Sequence, residues 1–139
     1  MGRARGGSGR APGSLVLVAD DRREYRETLS AFLRGAGYGV VTANDGSEAL
    51  ARVGDARPDL MLLDIVMPGM NGIDVCRTIK SDIGTQEIPI VMISSLTDPD
   101  EINEAMRAGA AEFMVKPVDR AELVALVEKL LAAPALQAA

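Results

Sequence analysis

Polar side chains that could act on a phosphoryl group stand directly after apolar stretches of this sequence. They are Asp20, Asp21, Asp64, Ser94 and Lys116. Carboxylates brought together repel one another, and a hard divalent cation such as Mg²⁺ or Mn²⁺ relieves that repulsion. An ammonium and a hydroxyl beside such a cation would surround a phosphoryl group, and carboxylates can carry phosphate covalently. The residues therefore predict a phosphoryl site with a carboxylate as acceptor.

The elements that must position these side chains are short apolar strands alternating with amphipathic helices. Tyr25, Leu29, Phe32 and Leu33 follow the spacing of a helix with one apolar face. We predict strands at 15–19, 38–43, 59–64, 88–94 and 112–116, and helices near 25–36, 47–53, 72–82, 98–107 and 120–132. The fourth helix has Thr97 or Asp98 as its expected cap, and Asp20 or Asp21 could cap the first.

Regular alternation of strand and helix indicates an α/β domain with a parallel sheet covered on both faces and right-handed crossovers. Ligands of such domains bind beyond the carboxyl ends of the strands, at the switch in strand order. If the first and third strands are neighbours, Asp20, Asp21 and Asp64 converge there.

Composition narrows the class of protein. The chain has 139 residues, a net charge of −5, one cysteine and no histidine. The absence of histidine excludes catalysis by histidine, metal sites with histidine ligands and a role as a phosphohistidine carrier. The acidic body of the chain argues against direct nucleic-acid binding. No stretch resembles a membrane span or a secretory signal, so we expect a cytoplasmic protein. We expect a disordered tail at 1–14, one domain at 15–132 and a short tail at 133–139.

Other phosphate-binding and nucleotide-binding proteins fit less well. The sequence has neither a P-loop nor a GxGxxG fingerprint. Haloacid dehalogenase phosphatases carry DxD after the first strand, where this chain has "ADDR" (19–22). A flavodoxin would carry a Ser/Thr-rich phosphate loop there, and aromatic residues for the flavin.

Four motifs, "VADD", "LLDIVMPGMNG", "MISS" and "FMVKP", resemble in order and spacing the response-regulator receiver domain of two-component signalling, which is CheY-like. The resemblance covers about residues 14–131. It implies a flavodoxin-like (βα)5 fold, with a doubly wound five-stranded sheet in the order 2-1-3-4-5.

The resemblance also implies roles for individual residues. Asp64 is the expected phosphoacceptor, and Mg²⁺ (or Mn²⁺) is expected to bind Asp64, Asp21 and the backbone carbonyl of Val66 directly. Asp20 is expected to hold the metal through water.

Further implied roles concern the phosphoryl group and the response to it. Lys116 is expected to bind the phosphoryl group through its ammonium and to precede Pro117 by a cis peptide bond. Ser94 is expected to be the switch hydroxyl, and Phe113 the switch aromatic. In this family, the water that hydrolyses the aspartyl phosphate is flanked by two side chains. One belongs to the residue two positions after the phosphoacceptor, and the other to the residue two positions after the switch hydroxyl. They are Val66 and Leu96, both apolar, which predicts slow loss of phosphate.

A receiver domain implies a histidine kinase or histidine phosphotransfer protein as donor, and an effector that binds the face of the fourth helix, fifth strand and fifth helix. A phosphorylation-dependent homodimer is compatible with this. The implied chemistry is self-phosphorylation and slow autodephosphorylation, with no free metabolite as substrate. Two alternatives stay open: a docking module that works without phosphorylation, and a receiver fragment of a larger regulator.

Overall fold

The computed structural model describes residues 13–95 and 98–138, and the side chains as far as residue 132. In chain order, the elements of this part are β1 (Leu15–Ala19), α1 (Arg23–Gly35), β2 (Gly39–Ala43), α2 (Gly46–Ala56), β3 (Leu60–Asp64), α3 (Gly72–Lys80), β4 (Ile90–Ser94), α4 (Pro99–Arg107), β5 (Glu112–Val115) and α5 (Arg120–Ala138). The predicted alternation of strands and helices is confirmed.

The five strands form one parallel sheet in the order β2-β1-β3-β4-β5, which confirms the predicted topology. The register aligns the strand ends, because Ala19 pairs with Leu63 and Ser94 pairs with Val115. The polar residues that follow or end β1, β3, β4 and β5 therefore lie along one edge of the sheet.

Apolar side chains cover both faces of the sheet, which explains why β3 and β4 are apolar without alternation. Leu17, Met61 and Met92 belong to the core cluster under α2, α3 and α4. Val16 and Leu62 belong to the cluster under α1 and α5. Each such side chain contributes roughly 1.5–3 kcal/mol by its burial, so both faces anchor the strands rigidly.

Side-chain caps fix where three helices begin. Asp45 accepts a hydrogen bond from the backbone N–H of Glu48 at α2, and Asn71 accepts one from Asp74 at α3. Asp98 caps α4, which confirms one of the two predicted caps. The other predicted cap, Thr97, lies outside the described residues. Neither Asp20 nor Asp21 is the N-cap of α1, because Arg22 occupies that position.

Several predicted boundaries differ from the structure. The last helix, predicted to end at Ala132, continues to Ala138. The backbone thus stays helical through Pro134, although proline lacks the backbone donor that a helix interior uses. At the other end, Ser14 is buried and its carbonyl accepts a hydrogen bond from Gly39 N–H, so the folded part includes a residue assigned to the tail. Residues 1–12 of that predicted tail lie outside the described part.

No helix among the described residues is long and apolar enough to cross a bilayer.

Candidate functional site

Three carboxylates meet at the carboxyl edge of the sheet, where β1 and β3 end. Asp20, Asp21 and Asp64 each place one carboxylate oxygen within 4.8 Å of the others. Asp20 and Asp64 are buried, with 2 % and 6 % of their surface exposed, whereas Asp21 is exposed. The structure thus brings together the carboxylates that the sequence predicted to converge.

Lys116 reaches this cluster from the end of β5. Its Nζ lies 2.8 Å from Asp20 Oδ2 and 3.5 Å from Asp64 Oδ2, and its side chain is only 9 % exposed. One ammonium cannot balance three ionised carboxylates, so the cluster keeps a net negative charge when all three are ionised. Such an excess attracts a divalent cation.

Asp20 is held on both sides. Its Oδ1 accepts a hydrogen bond from Arg22 N–H at 2.8 Å, while Oδ2 accepts from Lys116. Arg26 donates to the backbone carbonyl of Asp20 at 2.8 Å. These contacts fix the Asp20 carboxylate in place beside Asp64.

Burial raises the pKa of Asp64 to about 6, with the neighbouring Asp20 adding to the increase and Lys116 opposing it. Asp64 therefore remains largely ionised at neutral pH, although its charge is destabilised in the absence of a cation. The three carboxylates offer the hard oxygen ligands that Mg²⁺ prefers. The residues present fit a magnesium ion on this ground.

The loop between β3 and α3 packs closely against Asp64. Gly69 has a φ of +74°, a conformation that favours glycine. A Cβ on Gly72 would lie 2.3 Å from the backbone oxygen of Asp64, so the close approach of α3 to β3 requires glycine there. Val66 follows with its side chain 57 % exposed, and its N–H lies 3.4 Å from Asp64 Oδ1.

Ser94 ends β4, and Phe113 lies on the neighbouring β5, where it pairs with Met92. Ser94 is fully buried at the end of β4, and its backbone carbonyl accepts a hydrogen bond from Lys116 N–H at 3.0 Å. Phe113 is half-buried and packs against the core under α2, α3 and α4. The Lys116–Pro117 peptide bond is cis. Leu96 lies outside the described residues, so its place relative to Asp64 stays a prediction.

Tyr25 is a neighbour of the site that the sequence analysis missed. Lys116 Nζ lies 4.3 Å from the centroid of the Tyr25 ring. The phenol oxygen of Tyr25 accepts a hydrogen bond from Val118 N–H at 2.9 Å. The helical pattern assigned Tyr25 to the apolar face of α1. Its position one helical turn after Asp21 was the available signal, because that turn faces the strand ends.

The comparisons with known proteins agree with this geometry. Residues 16–128 match the family model described as "Response regulator receiver domain". Over 116 residues the chain is 44 % identical to the DNA-binding response regulator MtrA of Mycolicibacterium smegmatis, covering 84 % of this chain and 50 % of that protein. It is 41 % identical to the response regulator PleD of Caulobacter vibrioides, covering 83 % of this chain and 25 % of that protein. The chain thus spans half or less of the length of these curated relatives.

Solved structures of similar size superpose closely on this chain. The chemotaxis protein CheY4 of Vibrio cholerae has a TM-score of 0.81 at 34 % identity, covering 86 % of this chain and 99 % of that one. A response regulator from Chloroflexus aurantiacus has a TM-score of 0.83 at 33 % identity, covering 86 % and 98 %.

Proposed function

The chain belongs to the response regulator receiver domain family of two-component signalling, and on that basis we propose that Asp64 is its phosphoacceptor. The observation that supports this most is the placement of Asp64 at a strand end, beside a Lys116 ammonium that contacts both Asp64 and Asp20. An acceptor needs a fixed carboxylate, a nearby positive charge and an open side for the donor. Asp64 is fixed at the end of β3, lies 3.5 Å from Lys116 Nζ, and keeps 6 % of its surface exposed for a donor.

The proposed donor is the phosphohistidine of a histidine kinase or a histidine phosphotransfer protein. An Asp64 carboxylate oxygen forms a bond to phosphorus while the phosphorus–nitrogen bond of the donor breaks, and the freed imidazole nitrogen regains its electron pair. Lys116 places its ammonium where the phosphoryl oxygens arrive, and Ser94 provides a hydroxyl on the next strand. Positioning and charge stabilisation account for most catalysis of this kind.

Mg²⁺ is the proposed cofactor, and Mn²⁺ would use the same oxygen ligands. Asp21, Asp64 and the Val66 carbonyl would hold it directly, and Asp20, which is already bound by Arg22 N–H and Lys116, would act through water. A bound divalent cation neutralises the carboxylates that would otherwise repel the incoming phosphate.

The proposed output is a change in the face formed by α4, β5 and α5. Phosphorylation would draw the Ser94 hydroxyl toward the phosphate, and Phe113 would turn inward. Met106 and Val115, on this face, are 41 % and 46 % exposed, which suits a binding surface for an effector or a second copy of the chain. The phosphate can shift this equilibrium only by interacting differently with its two states.

Slow loss of phosphate is the proposed regulatory property. Val66 approaches Asp64 through its backbone N–H, and its side chain is exposed and apolar, so it cannot hydrogen-bond an attacking water. A long-lived phosphoryl group suits slow output or removal by a separate phosphatase.

The proposed extent of the receiver unit is 15–132, with tails on both sides, and its proposed location is the cytoplasm. The effector is proposed to be either a separate protein or a further domain, since the relatives are longer than this chain.

Intact-mass measurement tests the proposed chemistry. The chain is incubated with acetyl phosphate and Mg²⁺, and the same reaction is run with excess chelator. We expect one added phosphoryl group with Mg²⁺, far less with chelator, and far less in Asp21→Asn. The exposed Asp55→Asn on α2 serves as the matched control and should label like wild type. Equal labelling with and without chelator would contradict the metal assignment, and a chain that never labels would favour the phosphorylation-independent docking module.

A further inference from the structure

We infer that Tyr25 is a positioning residue of the phosphoryl site, which holds the Lys116 ammonium over its ring and fixes the segment after Lys116 through its hydroxyl. This inference rests on the proposed function, because it concerns how Lys116 serves Asp64. Tyr25 lies on α1, outside the motifs from which the site was predicted. Two separate contacts join it to Lys116 and Val118.

The ring contact addresses a weakness of the lysine. A lysine ammonium sits on four flexible methylenes and has no fixed direction of its own. In the described structure its nearest carboxylate oxygen belongs to Asp20, at 2.8 Å, while Asp64 Oδ2 is at 3.5 Å. The Tyr25 ring centroid, at 4.3 Å from Nζ, provides a third attraction from another direction.

The attraction of the ring does not depend on either carboxylate. A cation attracted to Asp20, Asp21 and Asp64 competes with Lys116 for their negative charge, which weakens the ion pair to Asp20. The aromatic ring carries no net charge and does not bind a hard cation such as Mg²⁺ in preference to oxygen. The contact with Tyr25 therefore persists when the cluster is neutralised, and its share in orienting Lys116 increases.

The hydroxyl contact fixes the backbone on the far side of Lys116. Val118 N–H donates to the phenol oxygen at 2.9 Å, two residues beyond Lys116. Lys116 N–H itself donates to the Ser94 carbonyl. Lys116 is thus held at three points: its backbone N–H by Ser94, the loop after it by the Tyr25 hydroxyl, and its ammonium in part by the Tyr25 ring. Tyr25 contributes to the last two.

Two variants separate the two contacts. Tyr25→Phe keeps the ring but removes the acceptor for Val118 N–H, whereas Tyr25→Leu removes both. Phe32→Leu is the matched control, because Phe32 is a partly buried aromatic residue of the same helix, in the same core cluster. Labelling by acetyl phosphate is followed at saturating Mg²⁺, under conditions in which denaturant curves show each variant to be folded. Mg²⁺ affinity is measured separately without phosphodonor.

We expect Tyr25→Leu to label about 3- to 30-fold more slowly than wild type, the range that loss of one cation–π contact corresponds to. Its Mg²⁺ affinity should stay within about twofold, because the carboxylates are intact. Tyr25→Phe should keep most of the wild-type rate, and Phe32→Leu should match wild type. The role of the ring would be overturned if Tyr25→Leu labelled as fast as wild type. It would also be overturned if Tyr25→Phe and Tyr25→Leu slowed labelling equally.

A second readout does not depend on phosphorylation. Amide hydrogen exchange at Val118 should accelerate in Tyr25→Phe and stay unchanged in Phe32→Leu, and unchanged exchange in Tyr25→Phe would overturn the role of the hydroxyl. The two proposals fail in different ways. If wild type itself is not labelled on Asp64, the proposed function is wrong, whereas if wild type is labelled and Tyr25→Leu labels equally fast, only the inference on Tyr25 is wrong.

Discussion

Replacing Asp64 by asparagine should stabilise the metal-free protein. The Asp64 side chain is buried, and its pKa lies at about 6 in the fold against 3.8 for the free side chain. A pKa raised by folding means that the native state binds the proton more tightly than the unfolded chain does. The carboxyl group therefore favours folding most in acid, and this contribution is lost as the pH rises through about 6.

The size of the effect follows from the two pKa values. The increase from 3.8 to about 6 corresponds to about 3 kcal/mol at pH well above 6, since one pKa unit is 1.36 kcal/mol. Asparagine has nearly the same shape but no charge, so Asp64→Asn should be more stable than wild type at about pH 7.5 by roughly 1–3 kcal/mol. By linkage, this advantage should shrink by about 2 kcal/mol between about pH 7.5 and 4.5.

Urea unfolding of both proteins at the two pH values, with chelator present, measures these differences. Asp55→Asn controls for the loss of an exposed carboxylate and should change stability by no more than about 0.5 kcal/mol. Saturating Mg²⁺ should reduce the advantage of Asp64→Asn, because the cation stabilises the wild-type carboxylate. If Asp64→Asn is less stable than wild type at neutral pH, or if its advantage does not change with pH, then burial of the ionised Asp64 carboxylate does not destabilise the fold as argued.

Three further changes have defined outcomes. Gly72→Ala should destabilise the fold by about 1–3 kcal/mol, because its Cβ would meet the Asp64 backbone oxygen at 2.3 Å; thermal unfolding measures it. Ser94→Ala should still accept phosphate, but amide chemical shifts on the face formed by α4, β5 and α5 should then no longer respond as in wild type. Val66→Asn with Leu96→Glu should speed loss of phosphate on the order of 10- to 100-fold if water positioning is the missing factor; decay of the labelled species with Mg²⁺ present and donor removed measures it.

The elements were predictable because each one satisfies a local rule. β3 and β4 are apolar up to their last residues, Asp64 and Ser94, since both faces of a central parallel strand are covered. Asp45, Asn71 and Asp98 mark helix starts by their side-chain oxygens. The strand order was not derivable from such rules, because pairing of β1 with β3 is a long-range choice. It came from the resemblance of four motifs to a known family.

Other features needed the three-dimensional structure. Tyr25 fits the helical apolar stripe, and nothing in that stripe reveals that its ring meets Lys116 across 91 residues of chain (116 − 25). The hydrogen bonds from Arg22 N–H and Lys116 that hold the Asp20 carboxylate also appear only in the structure. The last helix was predicted to end at Ala132, and its continuation to Ala138 appears only in the structure.

Localisation of the phosphoryl group tests the central claim most directly. Wild-type protein is treated with acetyl phosphate and Mg²⁺, digested under conditions that preserve acyl phosphates, and analysed by peptide mass spectrometry. We predict a single modified residue, Asp64, and no modification in Asp64→Asn. A phosphoryl group on Asp20 or Asp21, or labelling of Asp64→Asn equal to that of wild type, would contradict the account.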